Sequence, residues 1–160
     1  MSSLYARYEQ SYLLLEFSRL ADARREDVCK LIAQHLVCEG IVTTNAKDLA
    51  NLLRIIDVLQ RSVVYSLFAG DNSIALQTAR DIYATTSGRV AATLPFPNLI
   101  DAVLVLLKKE LLNLLNSITD SDTSVPVSTD FMQAIQSIFD SLQDLAADRA
   151  GGDDEPPKVV

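Results

Sequence analysis

The chain reads as an all-α bundle of six or seven helices, and three observations point there. Apolar residues recur at i, i+3 and i+4 through several long segments, the spacing that gives a helix one buried stripe. Glycine and proline number five each in 160 residues and all fall at the joints between those segments, at 40, 70, 88, 151 and 152 and at 95, 97, 126, 156 and 157. Hydrophobic residues make up 49% and charged ones 22%, a balance that suits a packed helical core rather than a sandwich of short strands. The length fits one domain, residues 1–150, followed by a short tail at 151–160.

Taken in order, residues 4 to 20 place Tyr5, Tyr8, Tyr12 and Leu15 at helical spacing and predict the first helix. Residues 22 to 38 predict a second, opened by Asp22 or Asp27 and ended by Gly40. Thr43, Thr44 and Asn45 are cap residues ahead of a long third helix at 46–69. Its expected buried stripe is Leu53, Ile56, Val63, Leu67 and Phe68 with Leu59 beside it, while Arg54, Asp57 and Arg61 project elsewhere. Gly70 can take the left-handed conformation that closes a helix, and Asp71, Asn72 or Ser73 can accept the orphan amides of the next, at 73–85, which ends near Gly88.

Leu94-Pro95-Phe96-Pro97 predicts an extended corner, after which Asn98 or Pro97 begins the most hydrophobic helix, about 98–118, apolar around much of its circumference. Residues 119–129, rich in Ser, Thr and Asp, predict a surface loop. The last helix starts at Ser128, Thr129 or Asp130 and runs to about 148 on a stripe of Phe131, Ile135, Ile138, Leu142 and Leu145. The acidic, proline-containing tail at 151–160 is expected to be disordered. A proline corner before a long central helix suits a globin-like arrangement.

The formal charge of −7 argues against nucleic acid as a partner, because neutralising phosphates needs clustered Lys and Arg, and only Arg24-Arg25 and Lys108-Lys109 are adjacent pairs. The longest uninterrupted apolar run in the fifth helix, Ala102 to Leu107, is six residues, so no membrane span is expected. Met1 to Arg7 lacks the basic start and apolar core of a secretory leader, and a cytoplasmic protein is expected. Cys29, His35 and Cys38 do not match a metal-binding spacing, and both cysteines are expected to be small buried residues in a reducing compartment. His35, the one histidine, sits among Leu31, Ile32, Leu36 and Val37 and reads as a partly buried structural residue. With no nucleophile–base pair, no phosphate-cradling glycine loop and no axial histidine ahead of the Pro95 corner, neither an enzyme nor a haem globin is expected.

The segment Leu53 to Ser73 resembles the central helix of the phycobiliproteins, the light-harvesting family that includes phycocyanin and allophycocyanin. Leu53, Arg54, Asp57, Arg61, Val63, Tyr65, Leu67, Phe68, Ala69, Gly70, Asp71 and Ser73 carry the likeness. Ala21-Asp22-Ala23-Arg24-Arg25-Glu26 and Ser137-Ile138-Phe139-Asp140 are similar to two further elements of that family, in the same order. The resemblance implies a globin-like helical fold and a subunit that works by assembly. It also implies that pigment is not attached covalently, because Leu52 stands where the family has its bilin-bearing cysteine and Ile55 where it has the aspartate that binds the pyrrole nitrogens. A non-covalent tetrapyrrole stays open.

By the same resemblance, Asp22 of one chain would meet Arg61 and Tyr65 of its partner, a second copy or a related chain. Arg61 and Tyr65 are spaced i, i+4 and so share a helix face, where a guanidinium fork and a phenol can meet one carboxylate. Tyr5, Tyr8, Tyr12 and Phe17 of the aromatic first helix are expected to add interface area, with packing inside the chain as the alternative. The expected function is therefore a non-enzymatic, pigment-free, phycobiliprotein-like scaffold subunit. Two alternatives stand beside it: a non-haem globin-type sensor domain of a stress-signalling complex, suggested by the segment from Gly88 to Leu115, and a helical viral assembly protein, which the composition alone allows.

Overall fold

The periodic segments do become helices. The structure, a computed structural model, describes residues 2–86, 89–121 and 129–154, with side chains over 12–86, 89–118 and 131–151. Among the described residues there are six helices: α1 Ser2–Ala23, α2 Arg25–Cys38, α3 Ala46–Ala69, α4 Ser73–Thr85, α5 Phe96–Ser121 and α6 Thr129–Asp154. The chain is an all-α bundle; among the described residues the sole β pairing is a bridge between Val42 and Ala92 that ties the α2–α3 and α4–α5 loops together.

α5 is the centre of this bundle. Leu99, Ile100, Val103, Leu104, Leu107, Leu111, Leu114, Leu115 and Ile118 are all buried, and α5 packs on α1, α2, α3 and α6. Its apolar circumference is what such a position requires. The helix starts at Phe96, one residue before Pro97 and two before Asn98, the two starts the sequence offered, because a proline in the first turn forfeits no helical hydrogen bond and Pro97 therefore fits inside. Phe17 of α1 meets Phe131 of α6 edge to face at 5.5 Å and 74°, closing the core on one side.

The ends of the helices show which sequence signals operate. Asn45 caps α3, its Oδ1 accepting from the amides of Lys47 at 2.9 Å and Asp48 at 3.4 Å. α2 closes on Gly40 at φ 72° in a Schellman motif, with the Gly40 amide on Val37 O and the Ile41 amide on Leu36 O, both at 2.9 Å. α3 closes on Gly70 at φ 78°. Asp71, rather than Asn72, supplies the turn into α4: its Oδ1 accepts from the Ser73 amide and hydroxyl at 3.0 and 2.7 Å, which holds its carboxyl below the usual range. One orphan amide of α4, that of Ala75, donates to the Ser66 hydroxyl of the preceding helix at 2.9 Å.

Four expectations are corrected. α1 does not stop at residue 20, and Asp22 is not an N-cap: the helix continues to Ala23 and breaks only at Arg24, whose φ −102°, ψ 7° lies in the bridge region. With no Gly or Pro at the joint, the Arg24 amide still reaches Leu20 O and the Val28 amide Arg24 O, so the chain bends without unwinding. α6 runs on to Asp154 through residues assigned to the tail, while 155–160 lie outside the described residues. Of the loop at 119–129, residues 119–121 continue α5 and 122–128 lie outside the described residues.

The fourth correction concerns rotation. The buried face of α3 is Leu52, Ile55, Ile56, Leu59 and Val63, with Leu53 and Leu67 only partly covered and Phe68 49% exposed. Pattern alone could not choose between two overlapping apolar stripes; packing against α2 and α4 does. In α1 the inward residues are Leu13, Phe17 and Ala21, so Phe17 packs in the core against Phe131 and adds nothing to an interface, while Tyr12 and Leu15 face outward.

At Gly70 an added Cβ would meet nothing within 4 Å, so Gly70→Ala adds backbone strain without a clash. We expect urea unfolding to give a loss of about 1 kcal/mol with an unchanged m-value.

Candidate assembly surface

The end of α1 and the second half of α3 lie side by side, and an open groove of about 280 Å³ runs between them. Ser18, Ala21 and Asp22 line it from α1, Arg25 from the start of α2, and Gln60, Arg61, Val64, Tyr65 and Phe68 from α3. Asp22, Arg61 and Tyr65, nominated from the sequence, are thus brought to one depression. They do not touch one another: Asp22 contacts Arg25 and Arg61 contacts Asp57. Tyr12 lies one helical face away on α1 and is exposed. The side chains of Tyr5 and Tyr8 lie outside the described residues.

Beneath the groove, Gln60 is buried to 1% and joins three helices. Its Nε2 donates to Ala21 O at 3.4 Å, one of the last-turn carbonyls of α1 that have no donor within their own helix, and its Oε1 faces Cys29 Sγ of α2 at 4.0 Å. Both contacts are long, so each contributes modestly. An amide buried there is nevertheless costly to leave unsatisfied, which ties the end of α1 to α3.

Around the rim runs a chain of alternating charge. Arg25 Nη1 contacts Asp22 Oδ1 at 3.2 Å, Arg25 Nε contacts Asp57 Oδ1 at 2.8 Å, and Asp57 Oδ2 contacts Arg61 Nε at 3.4 Å. The Asp22 side chain is 77% exposed and that of Arg61 46%, whereas Asp57 and Arg25 are under a third exposed. Tyr65 is 57% exposed and, with Phe68 and Val58, leaves an apolar strip on α3 next to these charges. Sequence reasoning did not nominate Arg25, Gln60 or Phe68 for this surface. Arg25 and Gln60 belong to it only through the α1–α3 contact, and Phe68 through the rotation of α3.

Other candidates from the sequence resolve as follows. Leu52 and Ile55 are core residues with 0% and 2% exposure, so neither position offers a ligand a polar atom or a thiol. His35 is exposed rather than partly buried, and its Nε2 lies 3.7 Å from Glu39 Oε1. Cys38 is also exposed, against expectation, because α2 turns its last residue outward; Cys29 is buried. Among the described residues no group of three metal-donor side chains converges, and no helix is long and apolar enough to cross a membrane. Comparison of the chain with protein-family models, with curated proteins and with solved structures returned no match.

Burial pushes the Cys29 thiol up to about 11 from a usual 9.0, with the Asp57 carboxylate adding to it, and burial pushes the Tyr83 phenol up to about 12 from 10.0. Both groups hold their protons more tightly folded than unfolded. Their contribution to stability is complete below pH 9.0 and is lost as pH rises through about 11 and 12. We therefore expect stability to fall between pH 9 and 12 in chemical denaturation, and a thiol reagent at pH 8 to label Cys38 while leaving Cys29 until the chain is unfolded.

Proposed function

We propose that this chain is a non-enzymatic assembly subunit that pairs with a second copy of itself, or with a related chain, through the α1–α3 groove. The observation that carries the reading is that Asp22, Arg61 and Tyr65 line a single depression. A two-fold interface uses the same patch on both partners, so each patch must hold both halves of every contact. This one does: it bears a projecting carboxylate and, across the groove, a guanidinium and a phenol i, i+4 apart on α3. The exposed Tyr65 and Phe68 would supply the desolvated apolar centre, and the charges around them the register.

The phycobiliprotein-like motif from Leu53 to Ser73 supports a more particular version, a pigment-free scaffold subunit associated with light harvesting. Leu52 and Ile55 are core residues and carry neither a thiol nor a carboxylate, which is why that version leaves covalent pigment out. Local charge supports self-pairing as well. The whole chain is at −7, yet Arg25, Arg61, Asp22 and Asp57 together are neutral, so a like-charged copy meets less repulsion here than the total charge implies.

Sedimentation equilibrium across a concentration range tests the proposal. The expected result is a reversible dimer that Asp22→Ala and Arg61→Ala each weaken by roughly tenfold or more, since each leaves an opposing charge unpaired in the interface. A chain that remains monomeric at all concentrations, or a dimer indifferent to both changes, would falsify it.

A further inference from the structure

We infer that Asp57, which does not line the groove, is the positioning residue of the docking surface: a single carboxylate that clamps Arg25 and Arg61 by their Nε edges and aims both guanidinium groups into it. The inference rests on the pairing reading above, with a second copy of the chain as occupant. Asp57 gives one oxygen to each arginine, Oδ1 to Arg25 Nε at 2.8 Å and Oδ2 to Arg61 Nε at 3.4 Å. It borders instead the depression on the far side of the Arg25–Asp57 pair, with Glu26, Cys29, Lys30, Leu53 and Arg54. Arg25 lines both depressions and so forms the wall between them.

The choice of atom matters. A guanidinium held at Nε keeps its two terminal nitrogens, the pair that meets a carboxylate bidentately, available at the other end. For Arg61, no described residue other than Asp57 is paired with the group, and its side chain remains 46% exposed. For Arg25, one terminal nitrogen already holds Asp22 at 3.2 Å, which steadies the carboxylate that must reach the other copy. Asp57 also precedes Arg61 by one helical turn, the order in which an acid–base pair on a helix is favourable. A partly exposed pair of this kind contributes little to folding. What it supplies is order: two long side chains that would otherwise lose rotamer freedom on binding are restrained beforehand.

The test compares Asp57→Asn and Asp57→Glu with the wild-type chain by sedimentation equilibrium, repeated in an Arg61→Ala background. Asp57→Asn keeps the shape and removes the charge, and we expect the dimer to weaken roughly tenfold while the thermal midpoint of the monomer moves by no more than about 3 °C. Asp57→Glu should recover most of the association. In the Arg61→Ala background the effect of Asp57→Asn should shrink to about threefold or less, the share that the carboxylate still exerts through Arg25. A dimer that Asp22→Ala disrupts but Asp57→Asn leaves unchanged overturns the clamp and spares the pairing. A full effect of Asp57→Asn without Arg61 also overturns it, and a wild-type chain that never dimerises removes both.

Discussion

With Leu52, Ile55, Ile56, Leu59 and Val63 turned into the core, α3 has one rotation about its own axis, and that rotation sets Arg61, Tyr65 and Phe68 along the edge beside the end of α1. Any other rotation would expose several large aliphatic side chains, at about 1.5–3 kcal/mol each. The surface pattern is therefore dictated by the core. Gln60 adds a second constraint from below, since its amide meets the carbonyl at the end of α1 and so fixes how far α1 extends over α3. The groove is the gap these two constraints leave.

On that scaffold the ion pairs have a clear division of labour. Exposed pairs contribute little to stability, and the bundle does not need them. Their arrangement nevertheless gives the surface a direction. An acid projects from α1, two cations meet from α2 and α3, and Asp57, outside the groove, pairs with both. The proposed recognition of a like surface rests on that pattern.

Much of the fold was legible in the sequence because its signals were local. Asn45 marks a helix start through its side-chain acceptor, Gly40 and Gly70 mark helix ends by conformational preference, and the structure puts all three to that use. What could not be read was non-local. The α1–α2 joint has no breaker residue, so Asp22 looked like a cap when it sits inside a helix. The rotation of α3 was ambiguous because apolar residues cover more than half of its circumference, and Phe68 was assigned inward when it faces out. Of the candidate surface, Asp22, Arg61 and Tyr65 were found through a motif resemblance. Arg25 and Gln60 acquire their roles from contacts 31 to 39 residues apart, and Asp57 joins its local partner Arg61 to the distant Arg25, a link that no window of sequence displays.

The pairing of Asp22 with Arg61 across two copies is tested most directly by exchanging the charges and mixing the products. Asp22→Arg and Arg61→Asp should each fail to self-associate, since each sets like charges together at both symmetry-related contacts. Mixed in equal amounts, they should form a heterodimer with an affinity near that of the wild-type homodimer, because both contacts then join opposite charges. A mixture that associates no better than either variant alone, or variants that dimerise as the wild type does, would contradict the account.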